Sequence, residues 1–394
     1  MDGLLRSQGP GPQAWRGSLP WAFLGALGWL FVYADRAVLS PLLATFGRLF
    51  HVGPAQLGLV STVFFLTYTA MQLPAGRLAD RYSPRLVLGL GYIGFGACVA
   101  LSALSPSYLF LLACTALAGL LQGTYYPTQF AVTARRIAPA GLALANAVIT
   151  AGMGIGIAVG YLVAAAWGAG GWQRPVWLLG LLTVALGLVL WRATPWDLRP
   201  PRDRPAAPPP WRGAFGRLLV VNFCSLYAFF FLLAWLPYLL AHSVHLAGWS
   251  LGALSAWPTL LAVPATVLVS RATSGTARVP RMRRLLLAAA SGVALLPWAG
   301  GLVPALLGLT LYGVSGKLVL DPLILSETAA AVDSPGYGQA FGRLNFVGML
   351  AAVAAPGLSG WLVERTGGFA APCAVAAALL LAGWWIARRL KAPG

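Results

Sequence analysis

Four charged side chains, Asp35, Arg36, Lys317 and Asp321, fall inside long apolar runs of a 394-residue chain. An ionisable group in such a setting is costly unless it meets a partner or a polar cavity, so each is a candidate functional group. Arginine keeps its proton and presents a planar fork of donors, which suits Arg36 to holding a carboxylate or a related anion. Asp35 is its neighbour in sequence, but consecutive helical residues point about 100° apart and need not meet. Arg36 therefore reads either as an anion site or as a structural partner of Asp35 or Asp321. Lys317 and Asp321 are four residues apart and share a helix face. They read either as an internal ion pair or as a second cation facing a cavity beside a carboxylate. Asp35 and Asp321 are also the side chains at depth that can take up and release a coupling proton.

Polar and aromatic residues at similar depth fill out a candidate substrate site: Tyr33, Tyr68, Gln122, Tyr125, Trp235 and Asn345, with Gln72, Tyr126, Gln129, Asn222 and Tyr227 as further members. Other chemistry is poorly supported. The four cysteines, Cys98, Cys114, Cys224 and Cys373, show no CxxC spacing, so neither a metal site nor a disulfide framework is expected. Gly316-Lys317 resembles the end of a phosphate-binding loop, but Leu318 follows and position 311 is Leu, so ATP is not the expected energy source. Asp80 and Asp333 lie in loops without a His or Cys partner, and His51, His242 and His245 are peripheral, which argues against an enzyme. No cofactor is implied.

The elements that position these residues follow from composition. Hydrophobic residues make up 59% of the chain and charged residues 9%, against about 25% charged in a soluble domain. An all-α integral membrane protein is expected, in contact with membrane lipid. Apolar runs near 20–47, 54–79, 84–104, 107–134, 141–167 and 174–193 predict six spanning helices. Six more are predicted near 215–243, 247–271, 284–302, 304–331, 336–364 and 368–388. Between the two sets, residues 194–214 are rich in Pro and Arg and read as a linker. The expected organisation is an N-terminal half, 1–193, the linker, and a C-terminal half, 215–394. Residues 1–18 lack the apolar core of a signal peptide, so the first run reads as a retained helix.

The net charge of +18 would suggest nucleic acid in a soluble protein. Here topology accounts for it. With both termini cytoplasmic, 22 of the 27 Lys and Arg residues fall on the cytoplasmic side, and only Arg48, Arg174 and Arg365 fall outside. The expected location is the cytoplasmic (inner) membrane, with no nucleic-acid partner. The halves echo each other: Asn146-Ala147-Val148 has a counterpart in Asn345-Phe346-Val347, and glycines follow both. Two six-helix halves with pseudo-two-fold symmetry are the plan of alternating-access transporters.

The segment Gly76-Arg77-Leu78-Ala79-Asp80-Arg81-Tyr82-Ser83-Pro84-Arg85 follows the second span and resembles the signature loop of the major facilitator superfamily, with Ser83 where glycine is common. The resemblance implies a cytoplasmic gate built on Gly76, Asp80, Arg81 and Arg85. Tyr33-Ala34-Asp35-Arg36 resembles the Y-x-D-R element of the anion:cation symporter family within it. Phe230 to Pro237 and Asn345 to Gly348 fit the same family, which includes sugar-acid transporters and relatives of vesicular glutamate transporters and sialin. The resemblance implies that Arg36 meets the substrate's anionic group or a fourth-span carboxylate, that Asp35 is linked to proton coupling, and that Tyr68 and Asn345 line the site. In the fourth span the family's arginine and glutamate are replaced by Thr115 and Gln122. The expected function is secondary transport of a small organic anion by a monomer, with protons as the coupling ion. The alternatives are anion exchange, facilitated uniport, or export of a hydrophobic compound.

Overall fold

The computed structural model describes residues 19–137, 139–196, 212–273, 277–298, 301–331 and 337–390. Most of the linker, 197–211, lies outside them. The first half holds α1 (Leu19–Ala37), α2 (Leu43–Phe50), α3 (Pro54–Arg81), α4 (Pro84–Ser102), α5 (Tyr108–Gln122), α6 (Tyr125–Arg136), α7 (Pro139–Trp167) and α8 (Gln173–Ala193). The second holds α9 (Gly213–Ser243), α10 (Gly248–Arg271), α11 (Arg278–Leu295), α12 (Leu302–Gly313), α13 (Lys317–Ala330), α14 (Tyr337–Thr366) and α15 (Ala370–Ala387). No strand occurs among the described residues. Among the described residues, nine stretches are long and apolar enough to cross a membrane. With α3, α7 and α11 they make twelve spans.

Three spans read as continuous in the sequence are broken in the structure. The first is interrupted by a 3-10 turn, Ser40–Leu42, where Pro41 cannot donate a helical hydrogen bond. The fourth breaks at Gly123-Thr124, where a Cβ on residue 123 would lie 2.8 Å from the Tyr68 carbonyl oxygen. The tenth breaks at Val314-Ser315-Gly316, with Gly316 extended ahead of α13. Arg36, Gln122 and Lys317 each sit beside one of these breaks. The ninth span begins at Arg278, six residues before the expected start, because Arg281, Arg283 and Arg284 are carried on its first turns.

Packing repeats between the halves. α1 runs along α7 as α9 runs along α14, and α4 along α8 as α11 along α15. The halves meet where α3 packs on α14 and α7 on α10, two contacts that a two-fold axis exchanges. Gly152, Gly156 and Gly160 form one face of α7, and a Cβ on them would lie 2.1, 2.2 and 2.5 Å from the Ala26, Leu30 and Ala34 carbonyl oxygens of α1. Gly154 points the other way, where a Cβ would meet nothing closer than 3.7 Å. Gly156→Ala is therefore expected to force α1 and α7 apart and to lower the melting temperature by several degrees, since overpacking costs about 1–3 kcal/mol. Gly154→Ala, as the control, is expected to leave it unchanged or slightly raised; equal behaviour of the two variants would contradict this packing.

Arginines collect at one end of the bundle and cap helix C-termini there. Arg136 donates to the Ala193 carbonyl, Arg217 to that of Arg389, and Arg283 to those of Ala387, Arg388 and Leu390. The arginine-poor end is where the halves lock. Pro237 has no N–H, so the Leu233 carbonyl one turn earlier in α9 loses its helical partner. It accepts instead from Ser40 at 2.6 Å and from Tyr161 at 2.9 Å, both in the other half. Thr62 donates to the Val353 carbonyl at 3.0 Å, and the Ala55 N–H donates to Glu364 Oε2 at 2.9 Å.

Candidate functional site

Arg36 occupies the last turn of α1 and reaches into the bundle. Its guanidinium carbon lies 4.9, 5.1, 5.2 and 5.0 Å from the ring centroids of Tyr33, Phe64, Phe65 and Tyr68. One Nη2–H donates to Gln122 Oε1, while Nε is buried without a hydrogen-bond partner. The ion pairs among the described residues are Arg278 with Glu327 and Lys317 with Asp321, so no described carboxylate neutralises Arg36. Ring faces and an amide oxygen stabilise a cation without cancelling its charge. The guanidinium is thus positioned, desolvated on several sides and still positively charged.

Asp35 turns the opposite way. It is 2% exposed, and its Oδ2 accepts from the Thr183 hydroxyl of α8 at 2.7 Å, while Oδ1 has no partner. The helical step separates the two neighbouring charges onto different faces. Asp35 and Arg36 both border a cavity of about 40 Å³, room for about three waters. Phe64, Phe65, Thr115 and Phe230 are among the residues of its wall. Thr115 donates to its own helix, at the Leu111 carbonyl, at 2.7 Å.

Across the centre, Lys317 opens α13 and is 6% exposed. Its ammonium donates to Asn222 Oδ1 at 2.9 Å and to Asp321 Oδ1 one turn along. Asn222 is fixed in turn by donating to the Leu344 carbonyl at 2.9 Å. Pro322 cannot donate to the Leu318 carbonyl, which accepts from Thr266 of α10 at 3.1 Å. The ion-pair reading of Lys317 and Asp321 is the one the structure adopts. Asp321 is the more open partner, with its side chain 34% exposed. It lies within electrostatic reach of Tyr126 and of Tyr33, whose ring faces Arg36 at 4.9 Å.

The remaining candidates separate. Tyr68 stacks on Phe64 at 6.4 Å and faces Arg36. Asn345 donates to Gln72 Oε1 at 2.7 Å, joining α14 to α3 across the halves. Tyr125 packs between α1 and α4, 5.5 Å from Trp29 and 5.0 Å from Tyr92, while its neighbour Tyr126 packs edge-on against Trp29 at 5.9 Å and lies within electrostatic reach of Asp321. Trp235 is fully buried, donates to the Pro356 carbonyl at 3.0 Å, and packs on Tyr238 and Phe369 at the arginine-poor end. In the loop after α3, Ser83 donates to the Trp196 carbonyl at 2.6 Å and Arg85 is half-buried. The side chains of Gly76, Asp80 and Arg81 lie outside the described set. Sequence reasoning passed over Phe64, Phe65 and Thr183. Two phenylalanines in an apolar run and one threonine in another carry no signal until the fold brings them to a charge.

The chain matches the family described as Major Facilitator Superfamily over residues 25–337. It is 25% identical to the voltage-gated purine nucleotide uniporter SLC17A9 of Mus musculus, over 91% of this chain and 85% of that protein. It is 25% identical to the probable sulfoacetate transporter SauU of Cupriavidus necator, over 89% of this chain and 88% of that one. Among solved structures it is similar to a bacterial homologue of the human lysosomal transporter Spinster in an inward-facing, unoccupied conformation, with TM-score 0.72 and 15% identity over 97% of this chain and 98% of that one.

Proposed function

The chain belongs to the major facilitator superfamily and is a multi-pass membrane transporter, and on that premise we propose that it carries a small organic anion through the centre of the bundle by alternating access. The observation that carries this reading is Arg36, an oriented guanidinium whose bonded partner is the neutral Gln122. An anion entering the centre supplies the missing countercharge. A cationic substrate would meet repulsion there, which counts against export of hydrophobic cations. The probable sulfoacetate transporter among the relatives is in keeping with an acidic substrate.

In this reading the arginine-rich end is cytoplasmic, which puts both termini on the cytoplasmic side of the inner membrane. The halves, residues 1–193 and 215–394, rock as a monomer about the Arg36 centre, and the bonds to the Leu233 carbonyl break when the outer side opens. Tyr33, Tyr68, Gln122, Tyr126 and Asn345 orient the anion, while Tyr125 and Trp235 act through packing. Gly76, Asp80, Arg81 and Arg85 gate the cytoplasmic side. Asp35, buried with one oxygen unpartnered, is the group that binds the coupling proton in symport, with Asp321 as the second candidate.

Ethanesulfonate is a suitable probe because it has no protonated form to leak through a bilayer. An inward proton gradient imposed on proteoliposomes is expected to drive its accumulation above equilibrium. Asp35→Asn is expected to abolish that accumulation while keeping exchange of internal for external anion. Equilibration without accumulation, stimulated by anion on the far side, would instead identify an exchanger, a reading that the neutral Gln122 favours.

A further inference from the structure

The pairing of Lys317 bears on which anions the centre accepts. Two cations lie at this depth, Arg36 and Lys317, but they are not equally available. Arg36 has no carboxylate partner. Lys317 has its ammonium occupied by Asp321 and Asn222. Asp321 is also the more exposed member of the pair, so a solute in the centre meets the carboxylate before the ammonium. Tyr33, whose ring faces Arg36 at 4.9 Å, lies within electrostatic reach of Asp321. With Asp35 holding the coupling proton, Arg36, Lys317 and Asp321 together leave one net positive charge. No second cation stands at position 115, where Thr115 is bonded within its own helix.

We infer that Asp321 is a built-in competitor anion that sets the valence of the substrate: with the Lys317–Asp321 pair closed, the centre takes monoanionic organic acids and discriminates against dianions. The inference rests on the anion reading above and names the substrate class. A second acidic group on the substrate gains nothing unless it displaces Asp321 from Lys317. If it does not, it lies beside a carboxylate and is repelled. Asp321 is thus a specificity residue. Removing its charge opens Lys317 to the solute and raises the net charge of the centre by one.

The test uses full-length purified protein and two permanently charged probes of equal carbon number, ethanesulfonate and ethane-1,2-disulfonate. Affinity is read from ligand-dependent thermal stability. Wild type is expected to bind ethanesulfonate more tightly than the disulfonate. Asp321→Asn is expected to shift the affinity ratio toward the disulfonate by about tenfold, the scale of one charge-assisted hydrogen bond. Asp321→Glu, which keeps the charge, is expected to hold the wild-type ratio. Lys317→Gln provides a second, independent readout. It leaves Asp321 unpaired in the centre and is expected to weaken ethanesulfonate binding about tenfold. A wild type that prefers the disulfonate overturns the proposal. So does an Asp321→Asn variant that binds both probes with the wild-type ratio, or a Lys317→Gln variant with undiminished ethanesulfonate binding; each of these leaves the anion reading standing. Absence of sulfonate binding in every variant and in wild type overturns both.

Discussion

Arg36→Gln is expected to weaken binding of ethanesulfonate severely, with affinity falling by at least about thirtyfold. Removing the charged partner of a desolvated, hydrogen-bonded anion costs about 2–5 kcal/mol, and each 1.4 kcal/mol is about a factor of ten. The same substitution is expected to change the melting temperature of the empty protein little. It gives up four ring contacts and one bond to Gln122, but it also removes a charge with no carboxylate beside it, and these effects oppose each other. Arg36→Lys is expected to fall between, since an ammonium keeps the charge and loses the fork. Titration calorimetry with the three proteins checks the order. Undiminished binding in Arg36→Gln would remove Arg36 from the site.

Gln122→Glu is also expected to weaken binding, but to raise the stability of the empty protein. The amide oxygen already accepts from the guanidinium. A carboxylate of the same shape in that place makes a charge-assisted pair without new geometry. The protein then contains its own countercharge. Ethanesulfonate affinity is expected to drop about tenfold or more, while the melting temperature of the ligand-free protein rises. Two readouts of opposite sign distinguish competition for Arg36 from simple damage to the fold, which would lower both. Unchanged ethanesulfonate affinity in this variant would mean that Gln122 does not control the availability of Arg36.

Much of the architecture was legible because a membrane restricts the options to helices whose length and apolarity the sequence displays. The alternation of spans and arginine-bearing connections placed most helix boundaries within a few residues. The breaks were less legible. Pro41 signals one, but Gly123 interrupts its span against Tyr68 and Met71 of another helix, a contact that no local pattern carries, and Gly316 closes onto Tyr312 of its own span. The charges at depth were also legible as a set. Their partners were not, because rotation of each helix decides them. Asp35 and Arg36 are adjacent and yet serve Thr183 on one side and Gln122 on the other. Spacing alone allowed the Lys317–Asp321 pair but did not choose it over a free lysine. Tyr125 and Tyr126 make the same point: one ring packs between helices and the next lies within electrostatic reach of Asp321.

The most direct measurement of the central claim is counterflow of labelled ethanesulfonate in proteoliposomes preloaded with the unlabelled anion. A transporter that uses Arg36 as its anion site gives a transient, saturable uptake of label in wild type and none in Arg36→Gln. Absence of protein-dependent uptake in wild type, or equal uptake in the variant, would contradict the account.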